Sequence, residues 1–397
     1  MHLTRAEEKI LAGEHGPVLE RMLRLLVRLG DIYGADKMIP VGSVQVAGVS
    51  YKSIGDPGLE FLEDYANQGA KVKVLTFLNP AGMDLKNWEA LGIPKEFAEK
   101  QLRIIEAFKK MGITISATCT PYLAGNLPRF REHIAWSESS AVSFANSVIG
   151  ARTNREGGPS ALAAALCGIT PNYGLHLDDN RKPNVIIEVE DSVKLEYISD
   201  FGALGYYVGS QVKNKVPYYT GIKDADINHL KALGAAMAAS GAVALYHIKD
   251  ITPEANNMPI TGLEKLSVDN KALEETFSKL TTGTDPDIVI IGCPHASLTE
   301  LTNIAHELKG KKLKKPLWVC TSRVVKHTAD EMGISKTIEA AGGKVIADTC
   351  MVVAPIEDIG YGTTAVDSGK AANYLPGFCK QRVIFDNIKN LINRVTE

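Results

Sequence analysis

Six cysteines are spread along the 397 residues, and four of them, Cys119, Cys293, Cys320 and Cys350, finish or closely follow the strand-like runs ITISATCT, DIVIIGC, LWVCTS and KVIADTC. In a parallel sheet the carboxyl ends of the strands share one edge, so this placement predicts thiols gathered at one crevice. The spacing contains no CxxC, no HExxH and no zinc-finger pattern, which sets aside the short-range metal motifs. Cysteines delivered from three separate loops suit an iron–sulfur cluster with one iron left unprotected better than a four-thiolate electron-transfer centre. The competing reading is that all of them are buried core thiols. Cys167, on the alanine-rich face of GGPSALAAALCGIT, reads as packing. His295 and Ser297 in CPHAS, and Thr321, Ser322 and Arg323, lie just past strand ends, where they would touch a substrate or steady the ligands.

A second concentration of chemistry is WSESSAVSFANSVIGARTNREGGP, residues 136–159. It gathers Glu138, Ser139, Ser140, Asn146, Ser147, Arg152, Asn154, Arg155 and Glu156, more polar groups than a core-filling helix requires. The apolar residues Ala141, Val142, Phe144, Ala145, Val148 and Ile149 predict a buried amphipathic helix over 139–149, closed by Gly150. In the following ARTNREGG, two arginines and two glycines would converge on an anion. The plainer alternative is a helix exit tied by ion pairs.

The elements that must position these groups alternate β-α-β. MIPVGSVQVAG, KVKVLTFLNP and ITISATCT read as strands, with helices GLEFLEDYANQG and KEFAEKQLRIIEAFKKMG between them, and Thr4 with Glu7 reads as a capping box for a first helix. The strand ends Gly48-Val49-Ser50 and Asn79-Pro80-Ala81-Gly82 would then line the same crevice as Cys119, the first offering backbone N–H groups and a hydroxyl to a carboxylate or phosphate. Farther on, NVIIEVE, KVPYYTG and AVALYHI read as strands, FGALGYYVGSQV and DINHLKALGAAMAASG as helices, and TGLEKLSVDNKALEETFSKL as a charged surface helix. His247 near a strand end reads as a satisfied structural histidine before it reads as a ligand or base. TTAVDSGKA resembles a P-loop, but Thr364 replaces the first glycine and Ala371 follows the lysine, so only an anion contact by Ser368-Gly369-Lys370 is retained.

Length predicts two or three domains, drawn at 1–135, 136–283 and 284–397, each of the α/β class. A net charge of -2 gives no reason to expect a nucleic acid or an anionic membrane as partner. No apolar run reaches the roughly 18 residues that span a bilayer, and the N-terminus MHLTRAEEKILAGEHG lacks a signal-peptide core, which predicts a cytoplasmic protein.

Taken together, WSESSAVSFANSVIGARTNREGGPS, CTPY, GCPH and SGKAANYLPG resemble the large subunit of the aconitase X family over essentially the whole chain. The resemblance implies aconitase-type α/β domains holding a three-cysteine iron–sulfur cluster, 4Fe–4S with a three-iron form on oxidation. The matching ligands are Cys119, Cys293 and Cys350, with Cys320 as the rival for one place and Cys167 and Cys379 behind it. It implies dehydration of (R)-mevalonate 5-phosphate to trans-anhydromevalonate 5-phosphate in an archaeal-type mevalonate pathway, the iron acting as a Lewis acid on the departing hydroxyl. Gly48, Val49, Ser50, Asn79, Pro80, Ser139, Ser140, Gly369 and Lys370 would position the carboxylate and phosphate ends, and Glu138, Ser139 and Arg155 would polarise or relay protons. The family's swivel domain, which carries the expected base, is missing from these residues, so a small-subunit partner is expected to complete the site. Two alternatives stand beside this reading. One is the family's other activity, dehydration of cis-3-hydroxy-L-proline. The other is a non-catalytic iron–sulfur scaffold or sensor, against which stand cysteines at the ends of apolar strands.

Overall fold

A computed structural model describes residues 1–396. Three parallel sheets follow one another along the chain, each flanked by helices, so the mixed α/β class is as expected. The capping box forms: Thr4 Oγ1 accepts from the Glu7 amide at 3.3 Å and the Glu7 carboxylate returns to the Thr4 amide at 2.7 Å. Among the described residues no helix is long and apolar enough to cross a membrane.

In the first sheet Ser43–Val46 lies between Leu75–Leu78 and Ala135–Trp136. The division expected at 135/136 therefore falls inside a strand, and the helix Gly158–Cys167 shares the core of this same sheet. The run ITISATCT departs from expectation. It forms no ladder, only a bridge from Ala117 to Leu78, because the Ser116 amide turns back onto the Thr114 carbonyl at 2.8 Å. The Thr118 amide still reaches the Leu78 carbonyl at 2.9 Å, so the segment follows the sheet edge and delivers Cys119 to its carboxyl end.

The second sheet has the order His247–Ile248, Pro217–Thr220, Val185–Val189, Glu264–Val268. Two expectations are corrected here. Only the last two residues of AVALYHI pair, and Glu264–Val268 is a strand where a charged helix was expected. It is an edge strand with Glu264 and Lys265 exposed, which gives it the polar composition of a surface helix. The helix proper begins at Asn270, capped by Asp269.

The third sheet orders its strands Lys344–Ala347, Leu317–Thr321, Ile288–Ala296, Thr363–Val366, Arg382–Phe385, all parallel. The chain winds outward from Ile288–Ala296 in one direction, then starts again beside it with Thr363–Val366. The neighbouring loops thus leave in opposite directions, which opens a crevice at this switch point. Cys293 and the Ser368-Gly369-Lys370 turn flank it.

Two helices, Ile198–Val212 and Ile227–Gly241, connect the sheets by close backbone approach. A methyl at Gly205 would lie 2.4 Å from the Leu233 carbonyl, and one at Gly209 would lie 2.8 Å from the Met237 carbonyl. On the other side of the second helix, a methyl at Gly234 would meet Ser143 Oγ at 2.7 Å, so the same helix supports the 139–149 segment. Helix propensity alone would make Gly205→Ala stabilising by about 1 kcal/mol. The contact with the Leu233 carbonyl reverses the sign, with an expected loss of about 1–3 kcal/mol, read as a lower unfolding midpoint.

Candidate active site

Cys119, Cys293 and Cys350 line one cleft together with Asn79, Pro80, Glu138, Ser139, Arg155 and Lys370. Cys293 lies within the strand Ile288–Ala296, Cys350 stands just past Lys344–Ala347, and Cys119 ends the edge segment of the first sheet. Burial, together with the nearby Cys350 and Glu138 side chains, pushes the Cys119 thiol up to about 12. Cys293 donates to Cys350, which raises the first and lowers the second.

The other cysteines do not line the cleft, although Cys320 lies close enough behind it for Cys350 and Cys119 to add to the burial that raises its thiol. Cys320 is buried within Leu317–Thr321, and its carbonyl presses on Gly292, where a methyl would come within 2.1 Å. Cys167 lies in the core of the first sheet. Cys379 donates to the Val352 carbonyl at 3.3 Å and receives Lys52 Nζ at 3.3 Å.

Glu138 is the N-cap of the helix Ser139–Phe144 and joins both halves of the site. Its Oε1 accepts from the Ser140 amide at 3.4 Å, from Ser140 Oγ at 3.2 Å and from Ser139 Oγ at 3.3 Å, while Oε2 accepts from Asn79 Nδ2 at 2.8 Å. Lys370 Nζ pairs with the same carboxylate and donates to Ser140 Oγ at 3.3 Å. Burial opposes the charge on Glu138, but the Lys370 ammonium overrides it and holds the carboxyl at about 2. Burial also opposes the charge on Lys370, and the Glu138 carboxylate outweighs it, raising Lys370 above its ordinary value. Lys370 opens the helix Gly369–Cys379, whose N-cap Ser368 accepts from the Ala371 amide at 3.1 Å. Gly369 itself is packed on backbone, since a methyl there would meet the Gly202 carbonyl at 2.7 Å.

The polar wealth of the 136–159 stretch divides. Its first part faces the cleft, and its second part holds the fold. The helix runs Ser139–Phe144 and continues as a π-turn, Ala145–Ile149, closed by Gly150 in the left-handed region as expected. Asn146 bonds the Thr153 and Ala244 carbonyls at 2.9 and 3.0 Å, and Ser147 accepts from the Tyr246 amide at 2.9 Å. The expected convergence of two guanidinium groups does not occur. Arg152 is buried against Glu254 at 3.7 Å and pairs with Asp178, sharing Glu254 with Arg181, whereas Arg155 is exposed on the cleft wall. Glu156 is buried and receives Ser160 Oγ at 2.7 Å, with its carboxyl raised by burial.

The Gly48-Val49-Ser50 turn stands behind the cleft, which it meets through Ala47. Ser50 Oγ donates to the Val353 carbonyl at 2.8 Å and the Val49 carbonyl accepts Gln101 Nε2 at 2.8 Å, so the turn steadies the loop after Cys350. His247 is structural, with Nε2 on the Arg181 carbonyl at 2.8 Å. Arg323 lies 2.7 Å from Asp84 and also pairs with Asp348, joining the first and third sheets. Sequence reasoning missed Tyr374 and Phe378 on the cleft wall. Their spacing of four and eight from Lys370 puts them on one helical face with it, which is the signal that would have found them.

Residues 1–179, 183–278 and 286–397 match the first, second and third domains of aconitase X. The chain belongs to the aconitase X family. Aconitase X of Thermococcus kodakaraensis, solved by crystallography in its holo-form, superposes with a TM-score of 0.94 at 50% identity, covering 100% of both chains. The chain is 60% identical over 400 residues to the phosphomevalonate dehydratase large subunit of Methanocaldococcus jannaschii, with 99% of each covered. It is 33% identical over 401 residues to the cis-3-hydroxy-L-proline dehydratase of Pseudomonas aeruginosa, covering 97% of this chain and 68% of that protein.

In this aconitase X chain the Glu138–Lys370 pair makes a prediction of its own. Removing one member of a buried pair strands the other, so Lys370→Met is expected to cost about 3–5 kcal/mol near neutral pH, read as a lower urea midpoint. A depressed carboxyl contributes stability above its ordinary value of 4.5 and loses it as the pH falls towards 2. The gap between parent and variant is therefore expected to narrow over that interval.

Proposed function

We propose that this chain is the large subunit of a hydro-lyase that removes water from (R)-mevalonate 5-phosphate, giving trans-anhydromevalonate 5-phosphate in an isoprenoid-forming pathway. The observation that carries the reading is a single cleft in which three cysteines stand beside a fixed cation, an ionised carboxylate and an exposed arginine. The name of the Methanocaldococcus relative supports the phosphorylated substrate over the hydroxyproline one, whose named enzyme is the more distant relative.

Among the described residues no three Cys, His, Asp or Glu side chains close on a point as a mononuclear site requires. Soft thiol donors spread along a buried wall suit a polynuclear 4Fe–4S cluster, with Cys119, Cys293 and Cys350 as its holders. When bound, such a cluster supplies a Lewis acid that eases the departure of hydroxide, otherwise a poor leaving group.

The chain's own residues bind and orient. Lys370 has three N–H donors, of which Glu138 and Ser140 take two, leaving one for a substrate oxyanion. Asn79 Oδ1 is a buried acceptor with no partner among the described residues, suited to a substrate hydroxyl. Arg155 supplies a forked cation for the carboxylate or phosphate. In the elimination, the proton on the carbon beside the carboxylate passes to a base while the C–OH bond breaks, so the alkene and water are the products. A carboxyl held near 2 is a poor proton acceptor at neutral pH, so Glu138 orients Lys370, Ser139 and Ser140 and does not take that proton. The base is assigned to a small subunit carrying the swivel domain. The large-subunit name of the relative and the extra length of the hydroxyproline enzyme both support that partner.

Anaerobic co-expression with the small subunit tests this. The expected product is a brown complex that dehydrates (R)-mevalonate 5-phosphate, with Cys119→Ala, Cys293→Ala and Cys350→Ala colourless and inactive, and Cys167→Ala, Cys320→Ala and Cys379→Ala still coloured. Arg155→Met is expected to raise KM about 10–100-fold with a smaller change in kcat, the loss of a charged hydrogen-bonding contact. A colourless parent, or preferential turnover of cis-3-hydroxy-L-proline, would overturn the reading.

A further inference from the structure

His295 has no exposed surface and uses every polar atom it has. Its backbone N–H donates to Cys119 Sγ at 3.1 Å, and its carbonyl accepts Lys231 Nζ at 3.0 Å. On the ring, Nε2 lies 2.7 Å from the Thr349 carbonyl and Nδ1 lies 2.9 Å from Thr118 Oγ1. A carbonyl can only accept, so Nε2 carries a proton and donates it to Thr349, while Nδ1 and the Thr118 hydroxyl share the second hydrogen bond. Thr118 precedes Cys119, Thr349 precedes Cys350, and His295 itself follows Cys293 by two positions.

We infer that the His295 imidazole is the clasp that fixes the three cysteine segments relative to one another, a positioning role set by its bonds to Thr118 and Thr349. The Cys119 segment comes from the first sheet and the other two from the third, and each is joined to His295 by chain or by a hydrogen bond. Lys231, paired with Glu300, holds the clasp from behind. Thr118 Oγ1 also accepts the Thr120 amide at 3.1 Å and lies 3.2 Å from Thr120 Oγ1, which holds the side chain in place beside the ring. The role is the one that partners behind metal ligands play, orienting them before the metal arrives. It rests on the assignment of these three cysteines as cluster holders.

The test uses the full chain stripped of metal under anaerobic conditions and alkylated with iodoacetamide, each cysteine being followed by peptide mass spectrometry. In His295→Ala, Cys119 and Cys350 are expected to react about tenfold faster than in the parent while Cys167 and Cys320 keep their rates, the factor that one lost buried hydrogen bond gives a local opening. His295→Gln places an amide N–H near the Nε2 position for Thr349 but leaves no acceptor at the Nδ1 position for Thr118, and is expected to protect Cys350 alone. In chain reconstituted with iron and sulfide, His295→Ala is expected to release iron to a chelator about 10–100-fold faster. Should His295→Ala not accumulate folded, Thr118→Val removes the hydroxyl from the ring and from Thr120 at nearly constant shape and is expected to expose Cys119 selectively. A uniform rise across all cysteines, or no change in either variant, would overturn the clasp. A parent that takes up no iron defeats the ligand assignment instead, and leaves the alkylation pattern to judge the clasp separately.

Discussion

The buried ion pair between Glu138 and Lys370 is the constraint on which the rest of the site depends. The two residues are 232 positions apart, one capping a helix of the first sheet's domain and the other in the first turn of the helix that links the last two strands of the third sheet. Either charge alone in this closed space would be strongly unfavourable, so the two elements are stable only when they meet. Their meeting brings the Ser139 and Ser140 hydroxyls, Asn79 and the three cysteines to one cleft. The neighbouring contacts have the same long reach: Ser50 on Val353, Lys52 on Glu357, and Arg323 on Asp84. The cleft is thus assembled from the first and third sheets' elements together, and no single sheet contains it.

That assembly also fixes the chemistry. A carboxylate held low by an adjacent ammonium, and an ammonium held high by the carboxylate, keep their charges throughout the neutral range, so neither exchanges protons with a substrate under working conditions. Fixed charges of this kind suit Glu138 and Lys370 to binding and orienting, not to taking a proton from carbon. Arg155 is exposed, and Phe378, also at the cleft, is 60% exposed, an apolar rim of the kind a closing partner would cover.

Much of this was legible in the sequence because parallel sheets place chemistry at strand ends. Cys293 and Cys350 could be assigned to one edge from the apolar runs that precede them, and Lys370 from the small residues around it. Cys119 arrived at the right place for a partly different reason, since its segment hugs the first sheet through a single bridge. What remained hidden were choices made by tertiary partners. Arg152 and Arg155 look alike in the chain, and only Glu254 and Asp178, far along it, decide that the first turns inward. The strand Glu264–Val268 carries the polarity of its exposed edge, which masks its period. His295 was recognisable as a residue beside the site, but its role depends on Thr118 and Thr349, whose proximity no local pattern encodes.

The central claim, that one cleft holds both the metal cluster and the phosphorylated hydroxy acid, is tested most directly by Mössbauer spectroscopy of the anaerobically assembled, iron-loaded complex with and without (R)-mevalonate 5-phosphate. The account predicts that one iron site of the cluster changes its spectrum when the substrate is added while the others do not, and that Arg155→Met requires more substrate for the same change. A spectrum indifferent to saturating substrate would contradict it, because the cluster and the substrate would then occupy separate places.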